Sequence, residues 1–289
     1  MVVDDDIALA ADGADDDVAA ALAQLAEHGW ARLRRRAPAS SLDELRGRAD
    51  AIMAGATARE GLFFQHDSPS GAYADLRFGD GWVGPSPAYR KIEGLDRDPV
   101  FHRWIASDVV AAVARAAITG PVAVARAVLW TKAARHRDAG AGADTSPADA
   151  GANPVVSIDG AGGTELPWHQ DGGKFWGLSG QPTLQLWTAL DDAPLASGCV
   201  EVVPGTHHGG LATAEGGTVP HELTAPRAAD IVTLPAVAGE ILLLHNLVWH
   251  RSGRNRTPHA RRALSVCLMS AAITCTRRKR APRQFVRLW

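Results

Sequence analysis

Cysteine is scarce: Cys199, Cys267 and Cys275 are the three in 289 residues. An odd count at wide spacing supports neither a disulfide framework nor a CxxC zinc site, so a reduced, cytoplasmic setting is expected. Long apolar runs are missing too. No stretch approaches the roughly 18 residues that cross a bilayer, and the acidic opening MVVDDDIALAADGADDD has no basic n-region of a signal peptide. Nor is there a surplus of either charge. Lys+Arg is 30 against 32 Asp+Glu, a net charge of −2, which gives no general pull toward nucleic acid or an anionic membrane. Tyr (2) and Phe (6) are few, whereas Trp (9) supplies more than half the aromatic residues. A 46% hydrophobic, 21% charged composition excludes disorder, collagen and coiled coil, and fits one globular domain over residues 1–289.

Helical periodicity dominates the first part. Residues 1–17 are expected to fray, Asp17–His28 to form a helix stopped by Gly29, and Trp30–Leu33 a short strand. The spacing Ser41-Leu-Asp-Glu44 predicts a capping box opening a helix to about Ala54. Residues 61–90 read as a long irregular segment, and Asp98–Ile118 as a second long helix. From Pro121 onward the texture changes to short β-branched or apolar runs between Gly/Pro turns, at 122–131, 183–190, 199–203, 230–234, 240–245 and 262–272. This predicts a β-sandwich or jelly roll behind helices, with the Gly/Ala-rich 139–163 as a mobile insertion.

Leu166-Pro-Trp-His-Gln-Asp-Gly-Gly173 is the most informative stretch. On a strand, residues i and i+2 share a face, so His169 and Asp171 can reach one metal ion. Two histidines and a carboxylate form a facial triad that holds Fe(II) and leaves positions open. A distal histidine is needed, and His207, His208, His245, His250 and His259 compete for the role. His250 is preferred because Ser252 and Arg261 follow it. An Arg fork suits the far carboxylate of a dicarboxylate cosubstrate, and strand alternation turns Arg262 to the opposite face. A second H-x-D, His136-Arg-Asp138, lies at the edge of the insertion without a strand pattern.

Three blocks together resemble a known family: Trp168-His-Gln-Asp171; Leu186-Trp-Thr-Ala-Leu-Asp-Asp-Ala193, continuing through Ser197-Gly-Cys-Val200 to Val203-Pro-Gly-Thr-His207; and His250-Arg-Ser-Gly-Arg-Asn255 with Arg261. Over roughly residues 120–272 the chain is similar to the phytanoyl-CoA dioxygenase (PhyH-like) family of Fe(II)- and 2-oxoglutarate-dependent oxygenases. The resemblance implies a mainly β fold with flanking helices (α+β), a double-stranded β-helix or cupin-type jelly roll with the N-terminal helices packed outside. It implies His169, Asp171 and His250 as iron ligands, and Arg261 and Ser252 on the distal carboxylate of 2-oxoglutarate. Trp187, Arg126 and Lys132 are implied as further cosubstrate contacts. It also implies Fe(II), 2-oxoglutarate and O2 as cofactors. The activity implied is hydroxylation of an unactivated C–H in a small or medium organic substrate of natural-product type, with release of succinate and CO2. Asp171 stands where related halogenases carry a small residue, which argues against halogenation.

Phe175, Trp176, Gln65 and His66 are expected at the small-molecule substrate, with Asp75, Tyr89 and Arg90 as further polar candidates in the 61–90 segment. Asn255 suits a turn or a role behind the ligands. Cyclisation, desaturation, epoxidation and epimerisation are alternative outcomes of the same oxidising chemistry, and a catalytically silent cupin is a further alternative. The basic C-terminus, Arg277-Arg-Lys-Arg280 with Arg283 and Arg287, could contact phosphates, but is expected to be a solvated or self-docked tail. The excess of Trp is expected to wall the iron pocket through Trp168, Trp176, Trp187 and Trp249, with Trp130 ending the strand before the insertion.

Overall fold

A computed structural model describes residues 11–135, 163–278 and 282–289. The pair His136-Arg-Asp138 and nearly all of the expected insertion therefore lie outside the described residues. The chain runs α1 (Ala11–His28), β1 (Trp30–Arg36), α2 (Ala39–Met53), β2 (Phe63–His66), β3 (Tyr89–Glu93), α3 (Pro99–Ile105), α4 (Asp108–Ala117) and β4 (Val122–Lys132). There follow β5 (Leu166–Gln170), β6 (Leu184–Ala189), β7 (Val200–Val203), β8 (Gly217–Thr218), β9 (Val232–Leu234), β10 (Glu240–Leu244), β11 (Trp249–Ser252) and β12 (Arg261–Ser270).

Two antiparallel sheets result. The larger has the order β1-β10-β6-β12-β4-β3-β2 and the smaller β8-β5-β11-β7-β9. Strand alternation assigns their faces. Ile241 and Leu243 on β10, and Leu264, Val266 and Leu268 on β12, join Leu45, Ile52, Phe101 and Val113 of the helices in the main core. The intervening Leu242, Leu244 and Ala263 pack with Val200 and Val202 of the smaller sheet. The helices thus cover the outer face of the large sheet, and its inner face meets the small sheet. This is the double-stranded β-helix with external helices that the family resemblance implied.

Several boundaries differ from the sequence expectation. Asp17 is buried rather than frayed, because its carboxylate accepts the backbone N–H groups of Arg34 (3.1 Å) and Arg35 (3.3 Å). Helix α1 stops at Gly29, whose φ of +79° suits glycine and whose absent side chain leaves room for His207 and Val248. The capping box does not form. Pro38, at φ −58°, starts α2 at Ala39, so Ser41 falls inside the helix. The expected 98–118 helix breaks at Ser107, which is extended (φ −65°, ψ 158°). Phe101, Trp104 and Ile105 are buried on α3, and Val110, Ala111, Val113 and Ala114 on α4, so the break lets each short helix bury its own apolar face. Part of the expected irregular 61–90 segment is the edge hairpin β2–β3, pairing Phe64 with Ile92.

The basic C-terminus docks on the chain itself. Val122 N–H donates to Trp289 O (2.9 Å), Val124 N–H to Val286 O (2.9 Å), and the Arg283 side chain to Trp176 O. Among the described residues no helix is long and apolar enough to cross a membrane.

Candidate metal centre and anion pocket

His169 on β5 and His250 on β11 are direct cross-strand partners in the small sheet. Asp171 follows β5 immediately. The three offer ligand atoms that all lie within 4.8 Å of one another. His250 Nε2 is 3.6 Å and His169 Nε2 4.0 Å from the Asp171 carboxylate. Each Nδ1 is committed to a backbone carbonyl, His169 to Pro167 (2.9 Å) and His250 to Val248 (3.0 Å). A carbonyl only accepts, so each Nδ1 carries the proton and each Nε2 lone pair is free to face a metal. Burial pushes His169 down to about 4. Burial opposes the charge of Asp171, but the contact with His250, then those with His169 and Arg126, outweigh it and hold that carboxyl well below its usual range. The donor set and its protonation fit a divalent ion of the Fe(II) type.

The backbone of Asp171 is clamped as well. Its N–H donates to Asn246 O (2.7 Å), and Asn246 Nδ2 returns a bond to Asp171 O (2.9 Å). Asn246 is fully buried just before β11, so it ties the two ligand-bearing segments together. No sequence signal marked it.

The triad opens into a cavity between the two sheets. Ser252, Arg261, Trp187, Lys132, Arg90 and Trp130 all line it, as do Thr131, Thr164, Gln185 and Ser265, which sequence reasoning missed. Strand parity could have found two of these: Gln185 lies two residues before Trp187, and Ser265 four after Arg261. Arg261 is only 2% exposed, and its Nε is buried without a partner. Among the described residues its side chain donates to the carbonyl of Gly198. That residue has a φ of +76°, and a Cβ there would collide with the Gly253 carbonyl. Burial draws the guanidinium down to about 10, with Cys199 and Asp191 opposing the shift weakly. Lys132 donates to Thr164 O (2.6 Å), and burial, then Arg261 and Arg90, lower its pKa well below the usual lysine range. Arg262 faces the other way and pairs with Asp191 (2.8 Å) and Asp50 (2.6 Å).

Other expected residues sit elsewhere. Arg126 is outside the cavity lining, bound through both ends of its guanidinium to Glu93 (2.8 and 2.7 Å) with Trp176 against its face. Trp176 packs in a small cluster with Ala123, Ala125, Cys267 and Met269, and Phe175 is 51% exposed; neither lines the cavity. Gln65 is buried and accepts from Arg90 (2.7 Å). His66 meets the Tyr89 ring edge-on at 4.7 Å, Tyr89 donates to Gly84 O (2.7 Å), and Asp75 accepts from Ser70. Trp168 and Trp249 are also absent from the cavity lining, so Trp130 and Trp187 are the tryptophans that wall it. The rival histidines His207, His208 and His245 gather in a separate cluster against the end of α1, with ring centroids 4.0 and 4.8 Å apart. Asn255 is fully buried, and its amide donates to Lys132 O, Ala133 O and His259 O, which braces the end of β4 against the start of β12.

Fold and site together define a jelly-roll protein with a two-histidine, one-carboxylate metal centre beside a buried anion pocket. The chain belongs to the family described as phytanoyl-CoA dioxygenase (PhyH), whose model matches residues 25–263. Among curated relatives it is 34% identical over 121 residues to phytanoyl-CoA dioxygenase domain-containing protein 1 of Bos taurus, covering 39% of this chain and 42% of that one. It is 31% identical over 117 residues to phytanoyl-CoA dioxygenase of Arabidopsis thaliana, covering 39% and 41%. The matched stretch thus spans about two fifths of these relatives' length. Solved structures share the fold. The epimerase SnoN, in complex with Fe3+, alpha ketoglutarate and nogalamycin RO, superposes with a TM-score of 0.64 at 18% identity over 94% of this chain and 98% of that one. EctD from S. alaskensis, with 2-oxoglutarate and 5-hydroxyectoine, gives 0.63 at 18% over 95% and 80%. The carbocyclase SnoK from nogalamycin biosynthesis gives 0.63 at 16% over 93% and 96%.

Proposed function

We propose that this protein is an Fe(II)- and 2-oxoglutarate-dependent oxygenase that hydroxylates an unactivated C–H of a small or medium organic substrate, in natural-product biosynthesis. One observation carries the reading. A buried guanidinium with no carboxylate partner among the described residues, that of Arg261, lines the same cavity as a metal-ready His169–Asp171–His250 triad. An uncompensated buried charge is costly, and an anionic ligand relieves it. Family membership supports the same chemistry.

Bound at the triad, the metal would supply the oxidative decarboxylation of 2-oxoglutarate by O2 to succinate and CO2, with the second oxygen atom entering the substrate as a hydroxyl. The residues of the chain do the rest. The triad takes one side of the ion and leaves the other side to ligands. Arg261, as a planar fork, and Ser252 hold the far carboxylate of 2-oxoglutarate. Trp187, Val200 and Leu244 supply an apolar wall that limits water near the reacting centre. The carbonyls of Pro167 and Val248 keep each histidine in its metal-binding tautomer.

A screen for substrate-dependent succinate release tests the proposal. Succinate and a product heavier by one oxygen are expected, and both should vanish in Asp171→Ala. A product lighter by two hydrogens, or of unchanged mass with inverted stereochemistry, would replace hydroxylation by desaturation, cyclisation or epimerisation. Absence of 2-oxoglutarate consumption with Fe(II) and O2 present would overturn the oxygenase reading and leave a silent binding module.

A further inference from the structure

Two arginines are buried among the described residues, Arg261 (2% exposed) and Arg90 (5% exposed), and both line the cavity. Neither has a carboxylate of the described residues within ion-pair distance. The less buried arginines nearby are all paired: Arg126 with Glu93, Arg251 with Glu201, Arg262 with Asp191. One 2-oxoglutarate, chelated at the metal and held at its far end by Arg261, gives Arg261 its counter-charge and leaves Arg90 without one.

Arg90 is also held ready. Its Nη1 donates to Gln65 Oε1 (2.7 Å), and its guanidinium lies near the rings of Trp130 (5.4 Å) and Tyr73 (5.7 Å). Its Nε is buried and unpartnered. Asp67 is the neighbouring acid, but one of its oxygens accepts from Thr164 N–H (2.9 Å) and the other is itself buried without a partner. A fixed fork therefore faces a space with apolar walls at Trp130 and Leu166. Bidentate recognition of a carboxylate is what such a fork does best.

We infer that Arg90 anchors a carboxylate carried by the substrate, so the molecule oxidised is an acid with an apolar body. This rests on the oxygenase reading above, in which Arg261 serves the cosubstrate.

Calorimetric titration of the Zn(II)-loaded protein, saturated with 2-oxoglutarate, tests it. The probes are straight-chain monocarboxylates from butyrate to decanoate, each beside its primary amide. At least one acid binds, and its amide binds about tenfold more weakly or worse, because a charge-assisted bond is lost. Arg90→Gln removes that preference and Arg90→Lys retains part of it, while 2-oxoglutarate binds both variants as it binds the parent protein. Equal binding of acid and amide, failure of every acid to bind, or weakened 2-oxoglutarate binding in Arg90→Gln would each overturn the inference. The acid–amide comparison needs no variant, so it stands even if Arg90→Gln does not fold. If the parent protein binds no 2-oxoglutarate at all, the oxygenase reading has failed and the inference falls with it, an outcome visible before any acid is added.

Discussion

The two sheets that enclose the cavity carry opposite chemistry. The small sheet presents acceptors: His169, the adjacent Asp171 and His250, with the one arginine at its side of the cavity, Arg251, neutralised by Glu201 at 2.6 Å. The large sheet presents donors: Arg261 on β12, Lys132 on β4 and Arg90 on β3, with no carboxylate of the described residues paired to any of them. One wall is built for a cation and the facing wall for anions. A metal and a dicarboxylate that bridge the gap between them satisfy both walls at once. Neither wall is an economical way to stabilise an empty fold, because buried uncompensated charge and buried unpaired polar atoms both destabilise it.

Variants that break one wall should leave the other intact. The largest effect belongs to the small sheet. His169→Ala or Asp171→Ala should weaken metal binding by about a hundredfold or more, beyond the loss typical of groups that merely orient ligands, as read by competition with a chelating dye. On the large sheet, Arg261→Leu should weaken 2-oxoglutarate binding by about tenfold to a hundredfold while metal affinity holds. The same variant should unfold at an unchanged or higher temperature, because it removes an unpaired buried charge. Loss of metal affinity in Arg261→Leu would show that the walls are not separable.

Asn255→Ala should cost about 2–3 kcal/mol in denaturant unfolding, because three carbonyls lose a buried donor, with metal affinity unaffected. The smallest effect lies outside both walls. Burial, then His207 and His208, lower His245 to about 4 from an ordinary 6.5. The folded state therefore holds His245 neutral where the unfolded chain takes up a proton. That contribution to stability is full above 6.5 and is lost as the pH falls from 6.5 toward 4. His245→Asn should flatten this acid limb by about 2 kcal/mol in pH-dependent unfolding, after allowance for partial exposure. An acid limb identical in parent and variant would remove His245 from the account.

The comparison also explains what the sequence disclosed. His169-x-Asp171 was readable because strand parity is local, and the same parity separated Arg261 from Arg262. Residues whose roles depend on distant partners were not readable. Arg126 looked like a pocket residue until its pairing with Glu93 on β3 was visible. Trp176 was drawn to the site by proximity in sequence, yet Gly173 and Gly177, with φ of +102° and +62°, turn the chain so that its ring packs against β4 and β12. Asn246 carried no motif at all, since its function is a hydrogen-bond clamp to Asp171, 75 positions away. The edge strand β2 is four residues long and joins β3 through a long connection, so its alternation was too short to register.

Anaerobic titration of the metal-free protein with Fe(II) and 2-oxoglutarate tests the two-wall account most directly. A weak visible charge-transfer band should appear when both are present, vanish in His169→Ala, and require about tenfold or more additional 2-oxoglutarate in Arg261→Leu. A band that never forms, or that forms unchanged in both variants, would contradict it.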